Sequence, residues 1–379
     1  MTTRDVEAGL GPHLWGEPPA KWDADADDTL VCVHTRDETH DVRTFLFRTR
    51  NPSLFRYRPG QFATFELVID GETINRCYTL SSPPTRPDTV SITVKRKVGG
   101  KVSNWLHDNM RPGAEIKAVG IAGDFTCTLN PAEKYLFLSG GSGVTPLMSM
   151  LRTHVDLGEE RDIVFVHSAR TPRDIIFRHE LAGMVAGTQR LKTAFVCESA
   201  GEDAGWSEPT GFLDLALLAT IAPDFKGREI FCCGPEPYMR AVRTMLRGAG
   251  FDMAHYHEES FTFGQQAEPE AAQAAASAQA PAAQSAPAAA SEGGFKIAFT
   301  KLGQTITCAP DQFILDAAKA AGMRLPFSCA KGLCGTCKTK KLSGEVEMNH
   351  GGGIRKREID QGMILICCSK PLSDITLEK

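Results

Sequence analysis

The sequence predicts a multidomain protein: an antiparallel β-barrel, an α/β domain built on a parallel sheet, and a small C-terminal α+β domain of the β-grasp type. Three observations predict it. Residues 28–129 hold short strand-like runs closely punctuated by turns, and residues 130–264 alternate strand-like with helix-like runs. A low-complexity stretch, 265–293, then separates these from a final segment, 294–379, in which cysteines cluster.

In the first region the runs are Leu30–His34, Val42–Arg48, Gln61–Val68, Arg76–Ser81, Val90–Lys95 and Glu115–Gly120. Such spacing suits a barrel closed by antiparallel neighbours. In the second, the apolar run Tyr135–Leu138 enters a glycine-rich turn and a helical stretch through Val155. Further strands at Ile163–His167, Leu191–Cys197 and Ile230–Cys233 alternate with helical patterns at 175–185, 212–220 and 235–249. That alternation implies parallel strands with crossover helices. Residues 1–27 read as an N-terminal tail. The stretch 265–293 has no aromatic or large aliphatic residue, and Pro281 and Pro287 would interrupt a helix. It reads as a tether, with a flexible reach of roughly 30 Å for a chain of that length.

Composition excludes several classes. The net charge of -4 over 379 residues gives no basic surplus for nucleic acid. No run approaches the roughly 20 apolar residues that span a bilayer. The first residues carry charge without an apolar run behind it, so no secretory signal is read and the expected compartment is cytoplasmic. In that setting 12 cysteines point to metal or redox chemistry rather than disulfides.

Four of them have a specific spacing. Cys329, Cys334 and Cys337 form C-x4-C-x2-C, and Cys367 follows far downstream. This is the plant-type [2Fe–2S] pattern, in which four thiolates hold two irons. Gly332 and Gly335 suit a loop wrapped tightly round a cluster. A four-cysteine zinc site would favour two C-x2-C knuckles instead. Cys368 is the rival fourth ligand, and Cys308 reads as a strand residue. A hairpin of Phe295–Thr300 and Thr305–Cys308 and a helix at 312–321 complete a β-grasp ferredoxin.

Arg76, Tyr78, Thr79 and Ser82 form R-x-Y-[ST]-x-x-S. With this motif the chain resembles the ferredoxin–NADP reductase superfamily over nearly its whole length. The resemblance implies that Arg76 pairs with a flavin phosphate, that Tyr78 contacts the flavin ring and ribityl chain, and that Thr79 stands near the flavin N5. Gly100, Lys101, Val102 and Ser103 match a second phosphate segment at a helix N-terminus, where anions are favoured. FAD is implied before FMN. Gly140, Gly141, Gly143, Thr145 and Pro146 follow a strand and open a helix, the placement that lets backbone approach a pyrophosphate. Cys233, Gly234 and Pro235 match the family motif beside the nicotinamide, with the Cys233 thiol near the transferring carbon and Tyr238 inserted before Met239. Ser168, Arg170 and Asp174 would meet the adenosine ribose. Asp174 favours NADH, whereas Arg170 and Arg173 could hold the extra phosphate of NADPH. Phe261 is a candidate lid over the flavin ring. The His–Glu run at 255–259 is not read as a metal site.

Residues 94–110, 166–177, 229–239, 251–261 and 344–354 go further. They resemble the reductase components of Rieske-type oxygenases acting on quaternary amines such as glycine betaine. The resemblance implies hydride transfer from NADH to the flavin, single-electron relay through the cluster at about -400 mV, and a Rieske-type oxygenase as the accepting partner. A reductase for a hybrid-cluster protein shares the module order. A redox-sensing binding module is the non-enzyme alternative, and the complete nicotinamide motif argues against it. Residues 294–379 hold thirteen basic and eight acidic residues, a local charge of +5, so the remainder carries -9. Lys331, Lys338, Lys340 and Lys341 form a basic rim near the ligand loop that could steer an acidic surface.

Overall fold

A computed structural model describes residues 19–261, 294–323, 325, 327 and 330–379. They divide into two compact units, one ending at Phe261 and one following it. Residues 1–18, 262–293 and Cys329 lie outside the described residues.

The first lobe of the first unit is an antiparallel sheet of β1 (Thr29–Thr39), β2 (Val42–Thr49), β3 (Phe62–Ile69), β4 (Glu72–Thr79), β5 (Val90–Lys95) and β6 (Glu115–Ala122), in the order β4-β3-β6-β1-β2-β5. A bridge from Leu80, just past β4, to Ile92 of β5 joins the two outer strands and closes the barrel. Phe45, Phe47, Phe65, Leu80 and Ile92 fill its interior. Each burial of such a side chain contributes roughly 1.5–3 kcal/mol. The β3–β4 hairpin turns through Asp70 and Gly71, both with positive φ (55° and 78°), the geometry that twists with its strands. Trp22 and Ala24 lie in the same core, and Trp22 packs 5.3 Å from Phe55. The last residues of the segment read as a tail are therefore part of the barrel wall. Helix α1 (Lys101–Asn109) plugs one end with Val102 and Leu106.

The second lobe carries β7 (Lys134–Gly140), α2 (Val144–Asp156), β8 (Asp162–Ala169), α3 (Arg178–Gly187), β9 (Leu191–Cys197), α4 (Leu215–Ile221), β10 (Glu229–Cys233), α5 (Glu236–Gly248) and β11 (Tyr256–Glu259). All strands are parallel, in the order β11-β10-β7-β8-β9. Both faces are covered. Tyr135, Phe137, Phe165 and Phe231 meet Leu147 and Leu151 of α2 on one side, and Leu136, Leu138, Val164, Val166 and Ile230 meet Leu218 of α4 and Val242 and Leu246 of α5 on the other. Two-sided burial explains why these strands read as unbroken apolar runs. The chain leaves β7 for β8 and β9 on one side and returns to β10 and β11 on the other, so the topological switch point lies between β7 and β10. Ligands in open α/β sheets bind at that crevice. The helix expected at 175–185 begins only at Arg178, because Thr171 and Asp174 cap a separate 3₁₀ turn and Phe177 sits at φ 61°.

The second unit contains β12 (Phe295–Phe299), β13 (Gln304–Cys308), α6 (Ile314–Ala320), β14 (Lys338–Ser343), β15 (Val346–Met348), α7 (Lys356–Asp360), β16 (Met363–Leu365), β17 (Ser369–Pro371) and β18 (Ile375–Glu378). Its mixed sheet runs β13-β12-β18-β14-β16, with β12 and β18 parallel, and β15 pairs with β17. Helix α6 buries Ile314, Leu315, Ala317 and Ala318 in the core with Ile297, Phe299 and Leu377. This is the expected β-grasp. Among the described residues no helix is long and apolar enough to cross a membrane.

The parallel sheet also buries a titratable group. His167 on β8 is fully enclosed, its Nδ1 2.8 Å from Ser139 Oγ, and burial lowers its pKa to about 4. Below the ordinary histidine range near 6.5 the unfolded chain takes up a proton that the folded chain refuses. Stability is therefore complete above about pH 6.5 and is lost as pH falls toward 4, by up to roughly 3 kcal/mol. Urea unfolding followed between pH 7 and 4.5 should show this slope in the wild type and a shallower one in His167→Gln. Parallel slopes would remove His167 as the cause.

Candidate functional site: two anion cradles, a lobe clamp and a thiolate loop

The turn between β7 and α2 lies against the end of β10. Gly143 approaches so closely that an added Cβ would stand 2.2 Å from the Cys233 carbonyl oxygen. Gly141 adopts φ 51°, and the Thr145 hydroxyl donates to the Ser142 carbonyl at 3.1 Å. No side chain caps the turn or the N-terminus of α2. The Val144 amide donates to the Gly141 and Ser142 carbonyls, and the other N–H groups there have no side-chain cap, an end at which the helix dipole favours an anion. Gly140, Gly141, Gly143, Thr145 and Pro146 are thus brought together with Cys233, Gly234 and Pro235 at the switch point. Burial pushes the Cys233 thiol well up, with Glu259 adding to the effect, so the thiol is neutral. Phe261 packs at the edge of the core that contains Phe231 and Cys233.

The three residues expected at the ribose separate in role. Asp174 is buried, with one oxygen accepting from the Thr171 amide (3.1 Å) and hydroxyl (2.7 Å) and the other from Arg170 Nη2 (2.8 Å). Burial alone would raise its pKa, but the bonds from Thr171 and Arg170 outweigh it and hold the carboxyl below its usual range. Its carboxylate caps the local turn, so an acceptor role for a ribose hydroxyl competes with bonds already made. Arg170 also reaches Asp41 of the β1–β2 turn at 3.5 Å, tying the ribose-side loop to the barrel.

On the barrel, Arg76 and Tyr78 share one face of β4, paired in register with Phe65 and Ala63, and Thr79 is buried on the other. Desolvation raises the Tyr78 phenol, which stays neutral. At the start of α1, Gly100 is held by Asn104 Nδ2, which donates to the Gly100 and Lys97 carbonyls at 2.8 and 3.0 Å. Ser103 Oγ accepts from the Lys97 amide at 3.2 Å. An added Cβ at Gly100 would lie 2.6 Å from Ser103 Oγ. This N-terminus too has no side-chain cap. Val102 is buried, so it can offer only its amide, and the Lys101 ammonium is engaged by Glu72 at 2.9 Å. Ser82 faces inward: its hydroxyl accepts from the Ser91 amide (2.9 Å) and bonds the Tyr57 hydroxyl (2.9 Å).

The carbonyls of Ser81 and Ser82 are the place where the two lobes lock. Ser149 Oγ on α2 donates to the Ser82 carbonyl at 2.7 Å. One turn on, the buried Arg152 donates to the Ser81 carbonyl and grips Glu180 of α3 with two bonds of 2.7 Å. Its guanidinium also lies 4.6 Å above the Phe177 ring. Arg86 on the barrel side forms a second fork with Asp156, at 2.7 and 2.9 Å. Sequence reasoning missed Tyr57, Ser149, Arg152 and Glu180. The available signal was a pair of polar residues three apart on α2, a helix that from Pro146 to Leu151 is otherwise apolar.

In the second unit Cys334, Cys337 and Cys367 are buried, and the Gly332 amide donates to Cys367 Sγ at 3.3 Å. Proximity to Cys367 and burial both raise the Cys337 thiol. Crowded buried thiols ionise when bound cations compensate them, which is what two irons supply. Gly332 has φ 69°, and an added Cβ would lie 2.7 Å from Cys368 Sγ. Cys368 Sγ lies beside Cys367 and also donates to the Leu365 carbonyl at 3.5 Å. Cys329 lies outside the described residues. The basic rim needs one correction. Lys338 is not on it, because its ammonium is 2.6 Å from Glu358, which Arg355 also contacts at 3.2 Å, all three largely buried. Lys331 and Lys340 are exposed.

Comparison with known proteins agrees with this arrangement. The family models for an oxidoreductase FAD-binding domain, an oxidoreductase NAD-binding domain and a 2Fe-2S iron-sulfur cluster binding domain match residues 30–127, 137–244 and 299–372. The glycine betaine monooxygenase reductase subunit of Pseudomonas aeruginosa is 46% identical over 92% of this chain and 94% of its own length. The chain belongs to this family of oxygenase reductase subunits. The stachydrine N-demethylase reductase subunit of Rhizobium meliloti is 41% identical over 93% of this chain and 96% of its own length. Phthalate dioxygenase reductase, a solved structure, shares the fold at a TM-score of 0.56 and 21% identity, covering 94% of this chain and 98% of that one. The reductase thus carries FAD-binding, NAD-binding and [2Fe–2S] domains.

Two outcomes are expected of this reductase. Arg152→Ala removes the two-bond partner of the partly exposed Glu180, leaving it only Arg36 at 3.6 Å, and should cost about 1.5–3 kcal/mol in thermal unfolding of the first unit. Arg152→Lys, which keeps charge but loses the fork, should retain flavin yet slow its reduction by NADH in stopped-flow. A wild-type reduction rate in both variants would show that the clamp does not align the lobes. At the cluster, Cys367→Ser should lose or markedly alter the visible iron–sulfur spectrum and iron content, whereas Cys368→Ser should keep both. The reverse pattern would make Cys368 the ligand.

Proposed function

We propose that this protein is the cytoplasmic NADH-dependent reductase of a two-component monooxygenase, delivering electrons to a Rieske-type oxygenase that demethylates glycine betaine or a related quaternary amine. The observation that carries the reading is the likeness to the glycine betaine monooxygenase reductase subunit, which extends over 92% of the chain and so covers all three modules.

When bound, the flavin takes up a hydride and releases electrons singly, and the cluster carries one at a time. The chain supplies placement. Amides at the start of α1, with Arg76, would hold the flavin phosphates, and Tyr78 and Thr79 would border the ring. Amides of the Gly140–Gly143 turn would hold the pyrophosphate of NADH, with Ser168 and Arg170 toward the ribose. The neutral Cys233 thiol would border the nicotinamide without competing as a base. Arg152, Ser149 and Glu180 would keep these two sites in one orientation. Cys329, Cys334, Cys337 and Cys367 would hold the irons. No general acid or base is required, since hydride and electrons move between cofactors.

The test is anaerobic. NADH should bleach the flavin absorbance and then produce the reduced-iron EPR signal. On mixing with a purified Rieske oxygenase and oxygen, NADH consumption should become dependent on glycine betaine or a related betaine. Reduced iron that never passes to any Rieske oxygenase would reject the partner while sparing the reductase chemistry. A bleached flavin without reduced iron would reject the relay itself.

A further inference from the structure

The switch-point crevice contains two polar atoms that the fold itself does not use. Ser168 Oγ and Tyr238 Oη are fully buried and have no hydrogen-bond partner among the described residues. Native folds seldom leave such hydroxyls unpaired, and each one calls for an explanation.

Their positions coincide with the crevice. Ser168 stands near the end of β8, in register with Gly140 at the end of β7. Tyr238 lies in the first turn of α5. Its ring rests on the two glycines that flank the switch point. An added Cβ would lie 3.1 Å from the ring at Gly140 and 2.8 Å from it at Gly234. The ring therefore floors the gap between β7 and β10, and its hydroxyl faces the Ser168 side chain at the β8 end without forming a hydrogen bond of normal geometry with it. Burial keeps the phenol protonated, so Tyr238 is available as a donor. The uncapped amides of the Gly141–Gly143 turn lie next along the same edge.

We propose that Tyr238 and Ser168 are a positioning pair for the pyridine dinucleotide, their hydroxyls hydrogen-bonding an oxygen of its pyrophosphate–ribose portion as it crosses the β7–β10 crevice. The inference rests on the NADH reading above and adds Tyr238 to it. An adjacent pyrophosphate on the turn amides puts oxygen acceptors within the same groove, and two hydroxyl donors suit phosphate and ribose oxygens alike. Both residues act on binding, not on the reacting carbon.

The test uses the full-length holoprotein and NAD+ as the unreactive probe. Tyr238→Phe removes one oxygen and keeps the ring on Gly140 and Gly234, and Ser168→Ala removes the other hydroxyl. Titration calorimetry should give NAD+ binding about five- to twentyfold weaker in each single variant. The double variant should be weaker by less than the product of the two losses, because both hydroxyls serve one ligand. In NADH–ferricyanide turnover KM should rise with kcat little changed, the mark of lost uniform binding. Wild-type affinity in both single variants would overturn the pair, and so would a shifted melting temperature with unchanged affinity, which would assign the hydroxyls to an internal water. If the wild type binds no NAD+, the dinucleotide reading fails and the pair fails with it.

Discussion

A buried guanidinium ties the barrel lobe to the parallel-sheet lobe. Arg152 has its charge out of water, one bond on the Ser81 carbonyl and two on Glu180. A buried cation is tolerated only when its partners are complete, and losing one partner leaves an uncompensated charge. The Ser81 carbonyl belongs to the strand end that carries the R-x-Y-[ST]-x-x-S motif, and Arg152 belongs to the helix that opens at the glycine-rich turn. Any slippage between barrel and parallel sheet must therefore break this network. Hydride transfer tolerates little misplacement of donor and acceptor, so the rigidity has a functional consequence.

The remaining geometry of the crevice is set by backbone rather than by charged side chains. Gly143 lies where a Cβ would collide with the Cys233 carbonyl, and Gly140 and Gly234 accept the Tyr238 ring. The close approach leaves uncapped amides as the chief attraction for phosphate. Lysine and arginine in the motifs also have carboxylate partners. Lys101 is engaged by Glu72 and Arg170 by Asp174, so their charges are partly spent within the fold.

The second unit follows the same economy. Glu358 has Lys338 and Arg355 around it, which moves a formal positive charge from the expected docking rim into the support of β14 and α7. Burial raises the Glu358 carboxyl, but bonds from Arg355 and Lys338 prevail and hold it down to about 2. Lys331 and Lys340 stay exposed. Surface charge of this kind acts on encounter rate and orientation more than on affinity.

Much was legible in the chain alone. The C-x4-C-x2-C spacing, the glycine turn after an apolar strand and the alternation of strands with helices are local patterns, and local geometry dictates them. The module order and the strand positions followed, with end points displaced by a few residues where a 3₁₀ turn or a capping aspartate intervened. The Asp174 carboxylate has partners within the chain, Thr171 and Arg170, that no motif records. The partners of Ser82 were likewise illegible, since Tyr57 and Ser91 reach its hydroxyl only after the barrel closes. What Arg152, Glu180 and Tyr238 do was not legible, because their contacts join segments far apart in sequence. The amino-acid order determined which cofactors the modules are built for; only the tertiary structure decided which polar groups are consumed in holding the modules together and which are left to meet a ligand, since burial and partnership arise from packing rather than from spacing.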